Sequence, residues 1–129
     1  DTADRVFRIN ILIGRHIDKY PVLPYSELMN LHNTVAVVTG SSDRIGRRLA
    51  LALSSHGAAV VVHCHTDREH ADETVALIRS AGGEGFCCVA DLTEMSGVAH
   101  LVTQTLDRYG RWDVLINNAS RFTTIPIEE

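Results

Sequence analysis

The stretch "TVAVVTGSSDRIGRRLALAL", residues 34–53, decides how this chain is read. It opens on a short apolar, β-branched run, "TVAVVT" (34–39), the texture of a strand buried in a parallel sheet. It closes on a helix-like run with Ile45, Leu49 and Leu53 at helical spacing. Gly40 and Gly46 stand at the strand-to-helix junction between them. Gly40 would supply a tight turn, and Gly46 a close approach of helix to sheet. The helix N-terminus would then offer backbone N–H groups and a partial positive charge to a pyrophosphate, with the Ser41 and Ser42 hydroxyls beside it. Arg44 stands where a glycine-rich loop would carry a third glycine.

The same alternation continues along the chain. "AAVVVH" (58–63) reads as a second strand. In "TDRE" (66–69) Thr66 and Glu69 have the form of a capping box for a second helix, with Ala71, Val75 and Ile78 as its buried stripe and Gly82–Gly83 as its stop. "GFCCVADL" (85–92) reads as a third strand. Thr93 is placed to cap a third helix whose stripe would be Val98, Leu101, Val102 and Leu106, closed by Gly110. "WDVLINN" (112–118) reads as a fourth strand. The order βαβαβαβ implies right-handed crossovers: an α/β protein, the N-terminal half of a Rossmann-like, doubly wound parallel sheet.

Bulk composition narrows the partners. The chain has 129 residues, 45% of them apolar and 22% charged, with a formal net charge of −4. That balance argues against nucleic acid or an anionic membrane surface as partners. No apolar run approaches the roughly 18 residues of a transmembrane helix. Cys64, Cys87 and Cys88 are odd in number and partly adjacent, so no disulfide framework is expected, and a reducing, cytoplasmic setting is the simplest account. Residues 1–33 lack the βα rhythm. "VFRINILIG" (6–14) could be a strand, while "YPVLPY" (20–25) is broken by prolines. Met29 would be a natural start, so residues 1–28 are expected to be an extension of separate origin and 29–129 the nucleotide-binding unit.

Three motifs in order carry a family resemblance. "TGSSDRIG" (39–46) resembles the T-G-x-x-x-G-x-G turn of the short-chain dehydrogenase/reductases. "ADL" (90–92) resembles their acidic turn after the third strand, and "NNAS" (117–120) their N-N-A-G. The resemblance implies a dinucleotide cofactor held by Gly40, Ser41, Ser42, Arg44, Ile45, Gly46, His63, His65, Asp91, Leu92, Asn118, Ala119 and Ser120. Arg44, "HCH" (63–65) and "NNASRFTTIPI" (117–127) are similar to the pteridine reductase branch. There the arginine contacts cofactor phosphate and substrate, and the Ser and Phe flank a pterin ring. The branch resemblance therefore implies substrate contacts from Arg44, Ser120 and Phe122. It also implies a small-molecule substrate with a C=N or C=O bond and a homo-oligomeric whole protein. A carbonyl reductase resembling the 3-oxoacyl-(acyl carrier protein) reductases is the alternative within the enzyme class. A non-catalytic nucleotide-binding module is the alternative outside it.

The cofactor reading favours NADPH over NAD. An acidic residue at the end of the second strand would select a ribose 2′-hydroxyl. Here that strand ends in His63, Cys64 and His65, with Arg44 nearby. Asp67 departs from the branch pattern and would repel a 2′-phosphate; with Thr66 as the cap, Asp67 is expected to turn outward. His63 and His65 share one face and Cys64 the other, so no metal site is expected. Asp113 is expected to serve as a turn residue. The family's Tyr-x-x-x-Lys pair, in which lysine lowers the tyrosine pKa, is not in these residues. Tyr20, Tyr25 and Tyr109 are followed four positions on by Pro24, Met29 and Asp113. No catalytic residue is therefore assigned within the chain, and it is expected to be inactive alone. A fourth strand at the sheet edge would also favour association.

Overall fold

A computed structural model describes residues 30–121. Seven elements follow in strict alternation: β1 Val35–Val38, α1 Arg44–Ser55, β2 Ala59–Cys64, α2 Arg68–Ser80, β3 Gly85–Val89, α3 Met95–Tyr109 and β4 Val114–Ile116. The strands form one parallel sheet in the order β3-β2-β1-β4. The chain moves outward from β1 through β2 to β3, then crosses back to place β4 on the other side of β1. This reversal is the topological switch point of a doubly wound fold. The expected fold class is the one observed. The segment 1–28 and Phe122 lie outside the described residues.

Alternate residues of the central strands feed two cores. Ala36, Val38, Val60, Val62 and Cys64 meet Ala50 of α1 and Ala71, Val75 and Ile78 of α2. Val35, Val37 and Val61 point the other way, with Cys88, Ala90 and Leu101 of α3. The period of two along each strand therefore covers both faces of the sheet, α1 and α2 on one and α3 on the other. Full burial of a valine or isoleucine contributes about 1.5–3 kcal/mol. The β-branched run that marked each strand is thus also the main source of sheet stability.

In α1, Ile45 is 68% exposed and Gly46 and Ala50 form the buried line, with Leu49 and Leu53 half-buried beside it, while three local expectations for the later helices are corrected. The small residues face the sheet because the helix sits too close for Ile45. Thr66 does not cap α2. Asp67 holds the N-cap position, and its carboxylate bonds the His70 ring at 2.7 Å instead of a backbone amide. Thr93 does not cap α3 either: Glu94 holds that position, and the Thr93 hydroxyl donates to Asp91 Oδ1 at 2.7 Å. Of the third helical stripe only Leu101 is buried. Val98, Val102 and Leu106 are exposed, since β4 at the sheet edge leaves that flank of α3 uncovered among the described residues.

Candidate cofactor site

The carboxyl ends of all four strands converge on the turn 39–46. Gly40 has φ +61°, and a Cβ there would lie 2.9 Å from the Ala119 backbone. At Gly46 a Cβ would run into the Gly40 carbonyl oxygen and lie 2.7 Å from Asn118 Nδ2. Both glycines are therefore required by space, and the first also by conformation. The N–H groups of Arg44, Ile45 and Gly46 open α1 and have no intrahelical carbonyl to bond. Such donors at a helix start, at the switch point of the sheet, fit a pyrophosphate.

The turn is braced from three sides. From β4, Asn118 Nδ2 donates to the Gly40 carbonyl at 2.9 Å. The buried Thr39 hydroxyl accepts from the Asn118 and Ala119 backbone N–H groups, each at 3.0 Å. From β2, the Ser41 N–H donates to the His63 carbonyl at 2.9 Å. The Ser41 hydroxyl donates to the Val38 carbonyl at 2.7 Å and accepts from the His63 N–H at 3.1 Å. From α2, the Ser42 carbonyl accepts from the Thr74 hydroxyl at 2.9 Å. Arg47 reaches the same carbonyl through Nε and Nη2, at 3.0 and 2.8 Å. Ser41 and Ser42 are buried and serve as turn builders; Ser41 has no hydroxyl to spare for a ligand.

Arg44 behaves differently. Its φ is +47°, in the left-handed region that favours glycine. Its side chain is 90% exposed, with the Asp43 carboxylate at 3.8 Å. The arginine thus occupies a glycine conformation while keeping a guanidinium beside the helix start. At the exits of β2 and β3, His65 Nε2 lies 3.6 Å from Asp91 Oδ2. Asp91 is held below the usual carboxylate range, chiefly by the Thr93 hydroxyl and N–H, with His65 adding to the effect. Leu92 is half-buried beside it, and Ser120 is exposed after β4.

His63 is expected at the cofactor, and the structure sets it one layer back. The side chain is buried, and backbone groups occupy both ring nitrogens. Gly40 N–H donates to Nδ1 at 3.0 Å, and Nε2 lies 2.8 Å from the Ala90 carbonyl. The Asp67 carboxylate is 40% exposed at the start of α2, and its hydrogen bond to His70 holds it below its usual range. Asp113 is a structural anchor: Oδ2 accepts from the Val35 N–H at 2.8 Å, and Arg111 binds both oxygens. Burial pushes the Cys87 thiol up to about 12 and the Cys88 thiol to about 11, the opposite of an activated nucleophile. No cluster of three or more metal-binding side chains occurs among the described residues. None of their helices is long and apolar enough to cross a membrane.

Sequence reasoning missed two builders of this site, Thr39 and Arg47. Arg47 carried a signal: a cation in the first turn of a helix opposes the helix dipole, so it needs acceptors of its own. It finds them in Ser42, Thr74, His70 and Glu73.

A parallel sheet with a glycine turn at its switch point and α1 starting over the turn defines a dinucleotide-binding α/β protein. The model of the short chain dehydrogenase family matches residues 34–129. The chain belongs to that family. It is 36% identical over 101 residues to the short-chain dehydrogenase/reductase homolog YusS of Bacillus subtilis, covering 78% of this chain and 93% of that one. It is 44% identical over 85 residues to the 3-oxoacyl-[acyl-carrier-protein] reductase of a Synechocystis strain, covering 66% of this chain and 34% of that protein. Among solved structures, a metagenomic short-chain oxidoreductase in complex with NADP superposes with TM-score 0.68 at 40% identity, over 71% of this chain and 41% of that one. A hydroxysteroid dehydrogenase from Escherichia coli gives TM-score 0.71 at 30% identity, over 74% of this chain and 40% of that one. The chain thus spans nearly all of YusS and less than half of the other three.

Proposed function

We propose that residues 29–129 form the cofactor-binding half of an NADPH-dependent reductase, and that residues 1–28 are a separate extension. The observation that carries this reading is the turn between β1 and α1. Gly40 and Gly46 let the turn pack directly against Ala119 and Asn118, which sets the N-terminus of α1 at the switch point of the sheet, and Arg44 adds a cation there. A guanidinium suits phosphate because its planar fork donates parallel hydrogen bonds. In this reading Ile45 and Gly46 hold the pyrophosphate through the backbone, Gly40 turns the chain toward them, and Arg44 and His65 attract the 2′-phosphate. Asp91 and Leu92 border the adenine, and Asn118, Ala119 and Ser120 face the nicotinamide side. NADPH would supply the hydride, and no Tyr-x-x-x-Lys pair to donate the proton occurs in these 129 residues. The substrate reading is a pterin-like heterocycle, supported by Arg44, Ser120 and Phe122. A β-ketoacyl thioester is the second reading, favoured by the 44% identity to the Synechocystis reductase.

Fluorescence titration of the chain with NADPH and NADH tests the cofactor half. NADPH should bind at least tenfold more tightly, about 1.4 kcal/mol in its favour. Binding of neither would overturn the site assignment. Turnover of a dihydropterin against an acetoacetyl thioester by the whole protein separates the substrates. Binding without turnover of either supports a non-catalytic nucleotide-binding module.

A further inference from the structure

We propose that His63 is a positioning residue that holds the phosphate-binding turn in shape only while its ring is neutral, so that cofactor affinity is set by the protonation state of a buried histidine. The inference rests on the cofactor site proposed above. Two hydrogen bonds of opposite polarity meet on one ring. Gly40 N–H points at Nδ1, 3.0 Å away, so Nδ1 must accept. Nε2 lies 2.8 Å from the Ala90 carbonyl, so Nε2 must carry the hydrogen. Only the neutral Nε2–H tautomer satisfies both. The imidazolium would put N–H against N–H at Gly40, the residue that turns the chain toward the helix start.

The position makes the coupling tight. The residue is 3% exposed, so water does not readily replace the lost acceptor. It ties three strand ends together: the exit of β1 at Gly40, β2 itself, and the exit of β3 at Ala90. The backbone of the same residue also exchanges hydrogen bonds with Ser41. Loss of the Gly40 contact therefore loosens the turn where two glycines leave no slack, at Ala119 and Asn118.

The ionisable groups around the ring are set as follows. On β2, His65 adds like charge when protonated. On β3, Cys88 is the register partner of His63, and Asp91 follows Ala90 and pairs with His65. Beyond the turn stand Asp43 and Arg44. After β4, Arg121 acts on Asp91. On the remaining face α3 contributes apolar Leu101. Burial, the largest influence, holds the ring below the usual histidine range, with His65 acting in the same sense and the Ala90 carbonyl opposing.

The test is the NADPH dissociation constant from pH 8 to pH 5 for the wild-type chain and for His63→Gln, over the range where circular dichroism shows both folded. Glutamine keeps an amide oxygen for the Gly40 N–H but does not titrate. The 2′-phosphate, His65 and Asp91 are common to both proteins, so only the difference between profiles reports on His63. Below the His63 inflection, the wild-type constant should weaken by up to about tenfold per pH unit relative to the variant. Parallel profiles would overturn the proposal. A second measurement needs no cofactor. In a nitrogen-15 correlation spectrum the Gly40 amide should shift along the His63 ring titration, with neutral His63 as the Nε2–H tautomer. A Gly40 amide indifferent to that titration, or the Nδ1–H tautomer, refutes the brace. Failure of NADPH to bind at any pH would overturn the cofactor site while leaving this second measurement to decide the brace.

Discussion

Replacing Arg44 with glycine should raise or preserve stability while weakening cofactor binding, two effects that a plain surface residue would not separate. At φ +47° an L-residue with a Cβ is strained by about 1–2 kcal/mol. Glycine removes that strain but adds about 0.5–1 kcal/mol of chain entropy to be lost on folding. The net is a gain of zero to about 1.5 kcal/mol, a rise of up to about 6–12 °C in Tm for a domain of this size. The side chain contributes little to the fold, being 90% exposed with one loose acidic neighbour. Its loss removes a charge-assisted phosphate contact of about 1.5–3 kcal/mol, a Kd roughly 10- to 100-fold weaker. Arg44→Ala should lose the same affinity but keep the strain, so it should melt below Arg44→Gly. Thermal denaturation by circular dichroism and NADPH fluorescence titration give both quantities. Arg44→Gly that melts several degrees lower refutes the strain argument. Unchanged NADPH affinity refutes the phosphate role.

Four further outcomes are expected. Gly46→Ala should abolish NADPH binding and cost about 1–3 kcal/mol by overpacking, since the new methyl meets the Gly40 carbonyl and Asn118; a wild-type melt with intact binding would contradict the close approach. Asp113→Ala should destabilise by about 3–5 kcal/mol, leaving Arg111 and the Val35 N–H without this partner, as read by urea unfolding. The folded His63 pKa lies below the unfolded value, so the unfolded chain takes up a proton first. Its neutral form is matched in both states above the unfolded value, and stability should fall as pH drops below about 6.5. His63→Gln should remove that part of the acid sensitivity in pH-dependent melts. The paired shifts at the start of α2 should appear by NMR: His70 titrating above and Asp67 below their usual ranges, with Asp67→Asn returning His70 toward normal.

The site was legible where backbone requirements fix residue type. Gly40 and Gly46 are dictated by a turn and a close approach, so the sequence showed them directly. Side-chain roles were less legible because they depend on which neighbour a fold supplies. His63 and His65 share a strand face, yet one is sealed behind the turn and the other stands at its mouth. Thr66 and Thr93 carry good capping chemistry, but the helices start one residue later, at Asp67 and Glu94, and the Thr93 hydroxyl turns back to Asp91.

What the amino-acid sequence determined alone was the order of elements and the parallel sheet. β-branched runs bury on two faces, and apolar residues at helical spacing must cover them, whatever the loops do. Only the tertiary structure decided the rest. Strand order 3-2-1-4 brings residues 39–46, 63–65, 90–92 and 117–120 to one edge. There a buried ring nitrogen, a threonine hydroxyl and the Arg47 guanidinium hold a single turn. Those contacts join residues up to 80 positions apart, as between Ala119 and Thr39, and no local pattern in a sequence encodes which distant group will arrive to complete a hydrogen bond.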